Sequence, residues 1–147
     1  MNKYLILCLT LALSLTLTSA VIAKDYNQIS PQELKARMEA GDIVNGKLMV
    51  FSTQNPKEFS SGYLPQAIQT FARPLETEED YRKLDIVLAR ALKTTEDIVV
   101  ICPRGGSGAT RPYDYLEKNG VDSKRLFVLT KGQGGYNKVF PNDVVKP

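Results

Sequence analysis

Along the chain, short apolar runs alternate with stretches whose apolar residues recur at helical spacing. Ser30-Pro31-Gln32-Glu33 opens the first helical stretch with a capping residue, proline at the first helical position and glutamate three residues after the cap. Leu34 and Met38 give it an apolar stripe and Gly41 a stop, which predicts a helix over about 31–40. Leu48-Met49-Val50-Phe51 follows as a buried strand. Pro56-Lys57-Glu58-Phe59 predicts a brief helical turn ended by Gly62, and Leu64 to Phe71 a turn entering a short strand. Thr77-Glu78-Glu79-Asp80 opens the best helix of the chain, acidic in its first turn as the dipole prefers. Tyr81, Leu84, Leu88 and Ala91 or Leu92 form its core-facing stripe.

Asp97 to Ile101 is a second buried strand. Tyr113 and Leu116 mark the next helix, closed by Asn119-Gly120. Pro112 sets its regular start near Ala109 or Thr110, or a bend there, because proline beyond a first turn clashes with an earlier carbonyl. Arg125 to Leu129 reads as a further strand, and Lys131-Gly132-Gln133-Gly134-Gly135 as a flexible turn before Tyr136 to Phe140. This alternation predicts an α/β fold with a mainly parallel central sheet and helices on both faces. In such a fold the site lies in loops at the C-terminal ends of strands.

Composition narrows the picture. The chain has 147 residues, a formal charge of +3 and no block of basic side chains, so one domain is expected and nucleic acid is not a partner. Asn2-Lys3 followed by the uncharged run Tyr4 to Leu17, then Val21-Ile22-Ala23, fits a secretory leader cleaved before Lys24. The alternative is an uncleaved anchor, which the five Ser/Thr residues between Tyr4 and Ala23 disfavour. The expectation is a leader over 1–23, a single domain over 24–147, export to a bacterial periplasm and no stable membrane association after cleavage. Cleavage removes Cys8 and leaves Cys102 as the only cysteine.

With no histidine at all, Ser-His-Asp and Cys-His catalysis are excluded, as is any His-containing zinc site. One cysteine cannot build a thiolate metal cluster, so neither a metal nor a cofactor is implied. Cys102 sits after four apolar β-formers and before Gly105, Gly106 and Gly108, where a helical pattern begins. A thiol delivered by a strand into a glycine-rich turn at a helix N-terminus meets N–H groups and a dipole that favour negative charge. The plain alternative is a buried structural cysteine. A cysteine-phosphatase loop would need arginine where Gly108 stands, and a phosphate-binding P-loop would need lysine between Lys93 and Lys118, where none occurs.

Val99 to Gly120, followed by Leu129-Thr130-Lys131-Gly132-Gln133-Gly134-Gly135-Tyr136, resembles the active-site half of a rhodanese-type sulfurtransferase domain. Glu58-Phe59-Ser60-Ser61-Gly62-Tyr63-Leu64-Pro65-Gln66-Ala67 is similar to that family's Glu-Tyr-x-x-Gly-His-Ile-Pro-Gly-Ala stretch, and the likeness covers roughly residues 29–140. The resemblance implies a rhodanese-like fold and a persulfide on Cys102, loaded from a small sulfur-containing anion such as thiosulfate or polysulfide and discharged to a thiophilic acceptor. Such transfer needs no imidazole. The candidate cradle is Arg104, Gly105, Gly106, Ser107 and Gly108, with Arg104 and Arg111 supplying positive charge. The chain departs from the pattern at Ser107, where many members carry arginine, and at Ser52-Thr53-Gln54, which lacks Asp-x-Arg. It departs again at Tyr136 in place of tryptophan and at Pro103, which removes one N–H. Two other readings stay open: a non-catalytic binding or sensing module on the same fold, and a single-thiol redox protein.

Overall fold

A computed structural model describes residues 22–147, so the expected leader lies almost wholly outside the described residues. Five strands form one parallel sheet: β1 (Gln28–Ile29), β2 (Leu48–Ser52), β3 (Ile68–Gln69), β4 (Asp97–Ile101) and β5 (Leu126–Leu129). Their order across the sheet is β1-β5-β4-β2-β3. The chain runs outward from β2 to β3, returns to β4 on the other side of β2, then continues to β5. The reversal puts a crevice between the C-terminal ends of β2 and β4, the place where open parallel sheets bind ligands.

The apolar runs of β2 and β4 are buried on both faces, as a strand covered by helices on each side must be. Alternation then sorts their side chains. Met49, Phe51, Ile98, Val100 and Cys102 pack on one face with Leu84, Ala91, Tyr113 and Leu116. Leu48, Val50, Val99 and Ile101 pack on the other with Leu34, Leu64 and Tyr136. Helices α1 (Pro31–Glu39) and α6 (Gly132–Val139) therefore cover one face. The opposite face is covered by α4 (Asp85–Lys93) and α5 (Ser107–Lys118), while α2 (Pro56–Ser60) and α3 (Glu78–Arg82) are single-turn elements between strands. Ser30 and Glu33 cap α1 reciprocally, and Asn55 and Glu58 do the same for α2.

Three expectations change. The helix opened by Thr77 is two helices, because Lys83 and Leu84 donate to Asp80 and Tyr81 three residues back and tighten the chain between α3 and α4. The stripe still reaches the core through Leu84 and Ala91, whereas Leu92 is 55% exposed. Helix α5 starts at Ser107, two residues before the expected point, and carries Pro112 inside it. The glycines after Lys131 are not a flexible turn but the first turns of α6, and β1 was not expected at all.

Candidate functional site

Cys102 is the first residue after β4 and is 2% exposed. Its Sγ accepts the Gly105 N–H at 2.9 Å, so the loop between β4 and α5 curls back under the sulfur. Gly105 makes that turn with a φ of +78°, a conformation glycine adopts freely. Gly106 precedes α5 and no side chain caps this helix, whose first residues Ser107 and Gly108 border the space above the thiol. That space is a cavity of about 160 Å³ lined by Cys102, Pro103, Arg104, Gly106, Ser107, Gly108 and Arg73.

The loop is held from below by α6. The Gln133 N–H donates to the Cys102 carbonyl at 2.7 Å and the Gly134 N–H to the Pro103 carbonyl at 3.0 Å. With Lys131 left-handed at φ +60° and no side-chain cap, the head of α6 takes its capping acceptors from the loop itself. This approach explains Gly132, where an added Cβ would stand 2.1 Å from the Cys102 carbonyl oxygen. The glycine is clearance rather than flexibility. Proline at 103 costs the cradle an amide, but its carbonyl is used here.

From the other side the loop is held by β2. The Thr53 amide extends the β2–β4 ladder to the Ile101 carbonyl at 2.9 Å, and its Oγ1 donates to the Gly108 carbonyl at 2.8 Å. Pro112 has no N–H with which to satisfy that same carbonyl, four residues back in α5. Thr53 thus supplies the donor that the proline withholds, and α5 can begin at Ser107 despite it. Gln54, where the family pattern has a charged residue, is buried and bonds the Glu58 and Gly62 carbonyls at 3.3 and 2.9 Å.

Of the residues expected at the site, Cys102, Arg104, Gly106, Ser107 and Gly108 meet around the cavity, and Gly105 lies beneath it. Arg111 does not join them. It projects from the outer side of α5 and donates to the Pro74 and Leu75 carbonyls at 3.2 and 3.4 Å. What it steadies is the segment carrying Arg73, the residue that the sequence did not single out. A Cβ placed on Gly108 would lie 3.1 Å from the Cys102 Cβ, 3.1 Å from the Arg73 Cδ and 3.3 Å from its Nε, so the guanidinium stem and the thiol flank one point. Arg73 is fixed by an ion pair with Glu58 and by its amide, which donates to the Thr53 carbonyl at 3.1 Å. Phe71 and Leu75 on either side both have left-handed φ, at 53° and 60°. Such strain in non-glycine residues persists only where surrounding contacts enforce it. Sequence spacing offers no signal for this placement, since Arg73 reaches Cys102 only through the fold.

Chemically, the arrangement is one thiol, a set of backbone N–H donors and two guanidinium side chains around a small cavity. It suits a nucleophilic sulfur exchanging with a compact anion. Among the described residues, no group of three or more Cys, Asp or Glu side chains is placed to hold a metal ion.

A family model for the Rhodanese-like domain matches residues 30–139. Among solved structures, the As-Sb reductase from Leishmania major superposes with a TM-score of 0.60 at 22% identity, covering 80% of this chain and 81% of that one. A rhodanese-related protein from Thermoplasma volcanium gives 0.56 at 20% identity, covering 83% and 100%. The yeast protein tyrosine phosphatase of the Rhodanese family, Ygr203w, gives 0.61 at 17% identity, covering 84% and 93%. No match to a curated protein sequence was found. The match over most of the chain, the all-parallel sheet and the cysteine at the end of β4 agree: this chain belongs to the rhodanese-like domain family.

Proposed function

We propose that this protein is a sulfurtransferase or sulfane-sulfur carrier in which Cys102 bears the persulfide. The observation that carries the reading is the Cys102 Sγ held at 2.9 Å from the Gly105 amide, at the floor of a cavity of about 160 Å³ walled by Arg73 and Arg104. That volume is below the range of ordinary organic-ligand pockets and suits an anion of a few atoms. In the loading step the Cys102 thiolate attacks the outer sulfur of thiosulfate. A new S–S bond forms, the old one breaks with its electron pair, and sulfite leaves. Arg104, which forms no ion pair among the described residues, offsets the anionic charge of donor and leaving group, and Arg73, already paired with Glu58, adds guanidinium N–H donors. In the discharge step an acceptor thiolate takes the outer sulfur and the Cys102 thiolate is regenerated.

Arg73 supports this reading in a further way. Ser107 lacks the positive charge that many family members place in the loop, and Arg73 brings a guanidinium to the same cavity from the β3–α3 connection. We further propose that the chain is exported, on the strength of the leader pattern over residues 1–23. Sulfur transfer is tested by intact mass after incubation with thiosulfate or polysulfide. One added sulfur, absent in Cys102→Ala, is the expected result; an unchanged mass with both donors overturns the proposal and leaves the fold as a binding module.

A further inference from the structure

A second and larger depression, of about 560 Å³, lies on the opposite flank of the active loop and shares Pro103 and Arg104 with the thiol cavity. It is lined by the head of α1 and the exposed face of α6, with Pro31 and Val139 giving an apolar floor. Arg104, Lys131 and Lys138 stand on its rim, and no carboxylate lines it. The charge is unspent: Lys35, Arg37, Arg73 and Arg90 each meet a carboxylate, whereas none of these three forms an ion pair among the described residues. In a chain of net charge +3, three unpaired cations around one concavity concentrate positive potential on the flank of the loop that carries Cys102.

We infer that this depression is the acceptor subsite, and that the acceptor is a small thiol carrying carboxylates. The inference rests on the sulfur-transfer reading above and names the second substrate class. The volume fits an organic molecule, unlike the thiol cavity. The carboxylates lie against Lys131 and Lys138, and the thiol reaches past Arg104 to the Cys102 persulfide. The acceptor thiolate attacks the outer sulfur of Cys102–S–SH; the inner S–S bond breaks, its electrons return to the Cys102 sulfur, and the acceptor leaves as its persulfide. Nothing is oxidised or reduced overall, and no further reactant is needed.

The test begins with the protein loaded by polysulfide and verified by intact mass. Failure to load refutes the sulfur-transfer reading itself, and this inference with it. The loaded protein is then discharged by mercaptosuccinate, a dicarboxylate thiol, and by thioglycerol, a neutral one. At low salt, mercaptosuccinate should win by about tenfold in second-order rate after correction for thiolate fraction, with the advantage shrinking as salt rises. Lys138→Glu, and separately the Lys131→Glu/Lys138→Glu pair, should remove most of that advantage while polysulfide still loads each variant to the wild-type extent and thioglycerol discharge changes far less than mercaptosuccinate discharge. Succinate should compete with mercaptosuccinate but not with thioglycerol. Equal rates for the two thiols, or an advantage that survives both charge reversals, overturn the inference. So does an acidic peptide without cysteine that blocks both thiols alike, since it would assign the depression to a protein chain.

Discussion

Thr53 and Pro112 are joined through one carbonyl: the Gly108 oxygen that the proline cannot bond receives the threonine hydroxyl at 2.8 Å. The end of β2 and the head of α5 are thereby tied at the residue whose Cα faces the thiol. Thr53→Val keeps the shape and removes the donor, which should cost about 1–3 kcal/mol for a buried carbonyl left unpaired. In a Pro112→Ala background the helix supplies its own N–H, and the same Thr53→Val change should cost clearly less. Urea denaturation of the four proteins measures the coupling; equal costs in both backgrounds would show the two residues to be independent.

Arg73 is expected to matter for anionic donors. Arg73→Ala should lower kcat/KM for thiosulfate loading of Cys102 by roughly tenfold to a hundredfold, the range for losing a charge-assisted hydrogen bond. Arg111→Ala acts at one remove through the Pro74 and Leu75 carbonyls, so its effect should be smaller and in the same direction. Single-turnover loading followed by mass spectrometry separates the two.

The glycines of the site should respond unequally to a methyl group. Gly132→Ala drives a Cβ into the Cys102 carbonyl and demands φ near +59°, so it should destabilise by more than about 2 kcal/mol and disturb the loop. At Gly106 an added Cβ meets nothing within 4 Å, so Gly106→Ala should cost clearly less than Gly132→Ala. Thermal melts of the two variants give the comparison.

Acid should unfold the protein in part through Glu96. Its side chain is 3% exposed, and the Arg90 guanidinium bonding it at 2.9 Å holds its carboxyl below the usual carboxylate value against the opposing cost of burial. A folded value lower than the unfolded one means the stabilisation is complete above the ordinary carboxylate range of about 4 and is lost as pH falls through the folded value. Glu96→Gln should therefore be less stable at neutral pH and should flatten the fall in urea midpoint between neutral pH and about pH 3. An unchanged slope would assign the acid sensitivity to other carboxylates, of which Asp80 and Asp143 are also held low.

Much of this architecture is legible in local sequence. Ser30-Pro31-Gln32-Glu33 builds a reciprocal cap in the folded chain, and the apolar runs at 48–51 and 97–101 become the central strands. Those signals lie within a few residues of the elements they specify. Misreadings arise where distant groups decide. Pro112 argues for a late helix start until Thr53, far away in sequence, satisfies the carbonyl it frees. The glycines after Lys131 read as flexibility until the loop of Cys102 is seen lying against them. Arg73 carries no local mark, and β1 is two residues long, too short for any period to show. At the site, Cys102 and the loop to Gly108 are legible because one strand and one turn place them, whereas Arg111, expected beside the loop, lies outside the cavity and Arg73 lines it instead.

The capping of α6 by the loop has a consequence for observation. The amides of Gln133 and Gly134 end on the carbonyls of Cys102 and Pro103. An added sulfur that shifts the loop must lengthen or reorient both bonds. Their nuclear resonances and hydrogen-exchange rates would then report an added sulfur on Cys102 from a different part of the chain, without touching the thiol, and follow the proposed loading step directly.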